Sequence, residues 1–297
     1  MNPLDFYTKL NNTLRNYHIL PYWFFTPLRI SVRYLANWYL PRYLSKPIYL
    51  NKYRVNSGVV VSFTSFPERI NNVWQVVECM LHQTVLPSKI LLWLSKDQFK
   101  DENSIPNSLK DRVNDVFEIR MVDGDIKSHK KYYYVSKEYP DSLVFLIDDD
   151  IYYPTDILER SLLKFKNYKN CVVCNFGSQI TFNQNGEHKK YSCWKEIEDD
   201  SNLFFGSGGG TLFIPSKLYK DLTNIEIAMS LTPSADDIWL NAMTRLAGLS
   251  VTHVYDLILL PIMNKQTIEL NSINNGLSKN DEQIEAVENY YGRCFDR

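Results

Sequence analysis

Between residues 58 and 176 short apolar runs alternate with segments of helical period, and this order constrains the fold more than any other feature of the chain. Residues 58–63 read GVVVSF, a run rich in β-branched residues that suits a strand buried on both faces. Ile70, Val73, Trp74, Val77, Met80 and Leu81 then fall at helical spacing after Pro67 and Glu68. Further strands are predicted at 89–94, 117–122, 143–147 and 171–176, and a helix at 155–165 opens just after Pro154. Strand and helix in alternation predict an α/β chain with a mostly parallel sheet flanked by helices. The 297 residues suffice for one large α/β domain or two small ones. No internal repeat is read. Residues 271–280 are polar and Asn-rich, which predicts a loop before a last helix at 282–291.

Residues 1–54 stand apart. Lys9, Arg15, Arg29, Arg33, Arg42, Lys46, Lys52 and Arg54 face a single acid, Asp5, and are interleaved with Trp, Tyr, Phe and Leu. Pro21, Pro27 and Pro41 are expected to cut this arm into short helical pieces. Two readings stay open: a basic aromatic arm lying on an anionic membrane surface, or helices packed against the domain that follows at 55–297. A cleavable leader pattern is not read in the first residues, and no apolar run reaches the length of about 18 that a spanning helix needs. The expected location is cytoplasmic, peripheral on the inner face of the plasma membrane.

The net charge of −1 gives no pull toward nucleic acid. The five cysteines are scattered, and the one C-x-x-C, Cys171 and Cys174, lies in a predicted strand where residues three apart point to opposite faces. Reduced buried thiols are expected rather than a zinc site.

The chemistry is concentrated at residues 143–150, LVFLIDDD. Five apolar residues run directly into Asp148, Asp149 and Asp150. Ligands of open parallel sheets collect at the carboxyl ends of strands. Three adjacent carboxylates repel one another and call for a cation, and hard oxygen ligands suit Mg²⁺ or Mn²⁺, which also bridges diphosphate oxygens. Three further motifs follow the same strand–helix frame. Residues 127–132, KSHKKY, carry Lys130 and Lys131, point charges suited to a diphosphate, beside His129. Residues 205–213, FGSGGGTLF, give a backbone able to turn and approach a ligand closely, without the Lys-Ser/Thr ending of a P-loop. Asp236 and Asp237 open an apolar-periodic helix. One of them serves as helix cap or as a general base toward an acceptor hydroxyl, and the sequence leaves open which. Trp239 follows the apolar helix face and is expected in the core.

In this order the motifs resemble a glycosyltransferase of the GT-A fold, over about residues 57–290. The set is similar to bacterial capsule or cell-surface polysaccharide glycosyltransferases, and more distantly to the exostosin-type catalytic domain. The resemblance implies a GT-A-type, Rossmann-like, mostly parallel sheet carrying a helical N-terminal arm. It implies that residues 60–69, VVSFTSFPER, form the first strand and a nucleotide-pocket loop, with Thr64, Ser65 and Arg69 at the nucleotide sugar. It implies Asp150 on the metal, Asp148 on the ribose or the metal shell, and Asp149 in either place. Lys130 and Lys131 go to the phosphates, Gly208 and Gly209 to the sugar or acceptor, and Asp237 or Asp236 to catalysis. A late His, here His253, sometimes completes the metal shell in similar enzymes. The activity implied is Mn²⁺- or Mg²⁺-dependent transfer of a hexosyl or N-acetylhexosaminyl group from a nucleotide diphosphate sugar, a UDP-sugar above all, to a glycan or lipid-linked acceptor. Two alternatives stand beside it: a sugar nucleotidyltransferase, which the glycine-free loop 64–69 disfavours, and a non-catalytic glycan-binding protein on the same fold.

Overall fold

The computed structural model describes residues 1–15, 22–46, 56–168, 170–254, 259–263 and 279–296. Lys52 and Arg54 of the arm, and most of the Asn-rich stretch at 271–278, lie outside the described residues.

The predicted parallel sheet is present. Strands β1 (Val60–Thr64), β2 (Lys89–Ser95), β3 (Phe117–Val122) and β4 (Val144–Ile147) are joined by parallel pairing in the order β3-β2-β1-β4. Two strand pairs form locally elsewhere, β5 (Ile151–Tyr152) with β11 (Leu260–Pro261), and β7 (Gly177–Gln179) with β8 (Leu203–Phe205). Beyond β4 the main sheet continues through β9 (Gly209–Phe213), β6 (Cys171–Cys174) and β10 (Ser250–His253). β9 runs antiparallel to both of its neighbours, β4 and β6. It is therefore the one reversed member of a seven-stranded sheet.

Side chains alternate across this sheet and divide the core in two. Val61, Phe63, Ile90, Leu92, Phe145 and Ile147 face one side, packed with helices α3 (Val73–Leu81) and α6 (Ile157–Asn167). Val60, Leu91, Trp93, Val144 and Leu146 face the other, covered by α5 (Lys130–Glu138), α8 (Asp236–Leu246) and α9 (Lys279–Tyr291). Two short helices, α4 (Asn107–Lys110) and α7 (Ile225–Leu231), complete the helical set. Trp239 is fully buried, and its indole N–H donates to the Leu222 carbonyl at 3.0 Å, so it belongs to the core as expected. Cys171 and Cys174 are free, buried thiols, as the sequence indicates.

The N-terminal arm is helical, but Pro27 and Pro41 do not cut it as expected; Pro21 lies outside the described residues. Besides α1 (Pro3–Arg15) there is one helix, α2 (Tyr22–Leu44), that runs through Pro27 and Pro41. Each proline removes one intrahelical donor, and burial of Val32, Ala36, Leu40 and Leu44 offsets the loss. Leu4, Ala36, Leu40 and Leu44 join the core layer on the α3 side. Asn37 clips α2 to the strand after the active region, its amide donating to Pro261 O at 3.0 Å and its Oδ1 accepting from Met263 N at 2.8 Å. No described helix is long and apolar enough to cross a membrane.

Candidate active site

The three acids sit in the turn between β4 and β5 because β4 ends at Ile147 and the chain reverses to pair β5 with β11. The Asp150 carbonyl accepts from Ile262 N at 2.7 Å, and the Asp148 amide donates to the buried Tyr153 hydroxyl at 2.8 Å. That hydroxyl in turn donates to the Gly208 carbonyl, which ties the triplet to the glycine run.

Each carboxylate has a different environment. Asp149 is buried and accepts from Ser65 Oγ at 2.5 Å and from Arg69 at 2.9 Å. Asp150 is bridged to the same guanidinium at 2.8 Å. Burial, together with the charges of Asp149 and Asp148, pushes the Asp150 carboxyl up to about 7. Asp148 is the most open of the three, with 40% of its side chain exposed, and pairs with Lys131 at 2.9 Å. For Arg69, burial opposes the charge, but Asp149 and Asp150 overcome it and hold the guanidinium above its ordinary value.

Lys131 is the hinge of the site. It lies in the first turn of α5, where the helix dipole disfavours a cation, and its side chain is only 6% exposed. Two carboxylates compensate: Asp148 at 2.9 Å and Asp236 at 3.0 Å. Their charges, with that of Asp237, outweigh burial and keep the ammonium charged. One lysine thus joins the triplet to the acid pair 86 to 89 positions further along the chain.

Neither acid of the pair caps α8. The cap position is Ala235, without a side-chain cap bond. Asp236 accepts from Ser207 Oγ at 2.7 Å, and Asp237 accepts from Ser207 N at 2.8 Å. The two titrate apart. Burial works against the charged form of Asp236, but the Lys131 charge, with the Ser207 hydroxyl bond, prevails and holds it below the usual carboxylate range. Burial and the neighbouring Asp236 push Asp237 up to about 6.

The glycine run is half loop and half strand. Gly209 and Gly210 belong to buried β9 rather than to a loop. Gly210 has φ +98°, and its Cα lies against Phe145, so glycine is required there. At Gly208 a Cβ would overlap the Asp148 carboxylate. Gly208→Ala is therefore expected to displace Asp148 and lower activity by about a hundredfold, as loss of a positioned charged group does. Steady-state kinetics alongside a thermal melt checks this, since an unchanged kcat/KM means that Asp148 is not held by this contact.

These residues surround a cleft of about 490 Å³ lined by Thr64, Ser65, Arg69, Lys130, Lys131, Asp148, Asp149, Asp236 and Asp237, together with Phe66, Gln98, Asp125, Lys127, Ser128 and Ser234. Arg69 Nε and Gln98 Oε1, both from lining residues, are buried without a hydrogen-bond partner. Lys130 is committed to Asp125. His129 is buried between the Tyr132 hydroxyl (2.9 Å) and the Thr232 carbonyl (2.7 Å), a packing arrangement in which desolvation keeps it neutral. Gly209 packs on Phe176 rather than into the cleft. His253 does not line the cleft either. It ends β10, separated from β4 by β6 and β9, and its amide donates to Asp200 at 2.8 Å.

Sequence reasoning missed Gln98, Asp125, Ser207 and Tyr153. Of these only Ser207 stands in a motif, the glycine run, where it carried the only available hint. Among the described residues, the one trio of His, Cys, Asp or Glu ligand atoms within 4.8 Å of one another is His188, Glu288 and Asp296. Its polar atoms already satisfy each other, His188 Nε2 with Glu288 at 3.1 Å and His188 N with Asp296 at 2.8 Å.

No protein-family model matches the chain, and no curated protein matches it. Among solved structures it is similar to a mannosyltransferase from Pyrobaculum calidifontis in complex with GDP-Man and Mn²⁺, at 11% identity over 97% of this chain and 82% of that one, with a TM-score of 0.45. It is also similar to 2-C-methyl-D-erythritol 4-phosphate cytidylyltransferase from Francisella tularensis, at 12% identity over 72% and 97%, with a TM-score of 0.43. A third likeness is to a UDP-glucose pyrophosphorylase complexed with UDP-glucose, at 12% identity over 78% and 97%, with a TM-score of 0.38.

Proposed function

We propose that the chain is a metal-dependent glycosyltransferase that moves a sugar from a nucleotide diphosphate sugar, a UDP-sugar in the first instance, to a glycan or lipid-linked acceptor in surface polysaccharide synthesis. The observation that carries this reading is the position of Asp237. With Ser234 and Asp236 it lines the main cleft and also a second cavity of about 180 Å³, walled by Tyr191, Phe204, Ala235, Lys279 and Asn280. An enzyme that transfers a sugar with inversion needs a base, a carboxylate or His, where the donor and acceptor sites meet.

In the main cleft the donor set is hard oxygen throughout, which fits Mn²⁺ or Mg²⁺. The triplet does not form a three-ligand cage among the described residues. That suits a cation held by one or two carboxylates and completed by phosphate oxygens and water. Asp148, which lines the cleft, would hold it together with Asp150, which does not line the cleft and is bridged to Arg69, whereas Asp149 is spent on Ser65 and the same guanidinium. When bound, the cation supplies Lewis-acid stabilisation of the departing diphosphate. Arg69 adds a fixed positive charge at the same place. The unpartnered Arg69 Nε and Gln98 Oε1 would find an acceptor and a donor on a nucleotide.

Asp237 acts as the base. The Ser207 amide holds it in place, and its pKa, raised by burial and by Asp236, suits it to take a proton from an acceptor hydroxyl near neutrality. A base works deprotonated, so kcat/KM for the acceptor is expected to fall about tenfold per pH unit below about 6 and to level off above it. Asp237→Asn should remove this acid limb and slow transfer by about 10²–10⁴-fold, while donor affinity stays nearly constant. A pH–rate profile of the variant that keeps the limb would assign it elsewhere.

A donor screen with and without Mn²⁺, reading the leaving group, tests the assignment as a whole. Release of a nucleoside diphosphate on acceptor addition supports glycosyl transfer. Release of pyrophosphate would make the chain a nucleotidyltransferase, and metal-dependent donor binding without turnover would make it a binding protein.

A further inference from the structure

α2 has two apolar faces, and the fold uses only one. Val32, Ala36, Leu40 and Leu44 recur every four residues and are buried. On the opposite side Leu28, Ile30, Tyr34, Leu35 and Trp38 stand in solvent, with Tyr34, Leu35 and Trp38 exposed by 60%, 55% and 61%. Single exposed apolar residues are ordinary, but five along one helix face form a strip of the kind that marks an interaction surface. The strip continues onto α1, where exposed Phe6 packs edge-on against Tyr7, and Tyr7 lies 6.1 Å from Tyr39.

Charge narrows the occupant. Lys9 and Arg42 are exposed on these helices and Lys46 just past the end of α2, and the Arg42 guanidinium lies 4.5 Å over the Trp38 ring. The arm's single acid is turned inward: Asp5 accepts from Thr155 N at 2.8 Å and from its hydroxyl at 2.8 Å, just after the triplet turn. The described arm therefore offers an apolar strip edged by cations, with no acid at the edge. A helix with such a strip, too polar to span a bilayer, lies in the interface of an anionic one.

We propose that the outward face of α2 docks on an anionic lipid bilayer, with Leu28, Leu35 and Trp38 entering the acyl boundary and Arg42 and Lys46 meeting lipid phosphates. The arm is clipped to the domain through Asn37 and Asp5, so this contact would hold the catalytic cleft at a fixed attitude to the membrane. The inference rests on the arm alone and is independent of the catalytic assignment.

The test uses the full chain and vesicles of phosphatidylglycerol mixed with phosphatidylcholine, beside vesicles of phosphatidylcholine alone. Cosedimentation is expected with the first and only weakly with the second. The triple variant Leu28→Gln, Leu35→Gln, Trp38→Gln should lower the partition coefficient by about a hundredfold, given the apolar area withdrawn. Arg42→Glu with Lys46→Glu should lower it at least about tenfold on the anionic vesicles alone. Both variants change exposed side chains, so their melting temperatures and donor turnover in solution should match the parent, and either readout exposes a folding failure. Absence of parent binding, or equal binding by parent and triple variant, overturns the proposal. So does a parent that is dimeric where the triple variant is monomeric, because the strip would then be a contact between two copies of the chain.

Discussion

Asp150→Ala is expected to abolish Mn²⁺-dependent donor turnover, with a loss on the order of a thousandfold or more in kcat, as befits removal of several kcal/mol of Lewis-acid stabilisation. The reason lies in how the triplet divides its carboxylates. Asp149 is buried against Ser65 and Arg69, and Asp148 is shared with Lys131. Asp150 is partly exposed and has one cationic neighbour in contact, Arg69, which it shares with Asp149. Its pKa near 7, raised by burial and by two adjacent acids, shows a carboxylate short of positive charge. A divalent ion placed there would relieve that shortage and should favour the ionised form. Parent turnover should therefore fall as a chelator is added and return with Mn²⁺, whereas the alanine variant should respond to neither. Full turnover by the parent in excess chelator would sink the metal mechanism.

The second large effect is expected at Lys131. Replacing it by methionine keeps the packing volume close but leaves Asp148, Asp236 and Asp237 without their common cation. Breaking a buried pair in this way costs about 3–5 kcal/mol, because the partners stay behind as uncompensated charge. Denaturant unfolding measures it directly. Adding Asp236→Asn to Lys131→Met should recover part of the loss, since the two residues share one ion pair and their effects do not add. If Lys131 instead serves mainly as a phosphate contact, the methionine variant will lose donor affinity with its unfolding midpoint unchanged, and the structural role is refuted.

How far the site could be read in advance depended on distance along the chain. The triplet was legible because its cause is local: an apolar strand ends and three carboxylates follow directly, with β4 found at Val144–Ile147 as expected. The start of α8 at Asp236 was legible for the same reason, through helical period. Lys131 was not. As one lysine in a basic stretch it looked like a phosphate ligand, and only the fold brings Asp148 and Asp236 to it from separate elements. Ser65 with Asp149, 84 residues apart, and Asn37 with Pro261, 224 apart, are contacts of the same kind. The glycine run misled in a different way. Glycine favours loops, but Gly209 and Gly210 lie in a strand where Phe145 and Phe176 leave no room for a side chain. In α2, propensity was overridden by packing: Pro27 and Pro41 predicted breaks, yet the buried row from Val32 to Leu44 holds one continuous helix.

The reversed strand β9 bears on how this molecule comes off the ribosome. It is made after β6 but inserts between β6 and β4. Until residue 213 has emerged, β4 keeps an open apolar edge whose backbone groups lack partners, and β6 has no neighbour in the main sheet, because β10 is made later still. The same insertion brings Gly208 to Tyr153 beside the triplet, whereas Ser207 meets Asp236 only once α8 has followed. The carboxylate cluster is thus completed after β9 is seated, late in synthesis. Fragments ending short of that strand should be both inert and prone to aggregate, and a chaperone that shields strand edges would act on this protein during that interval.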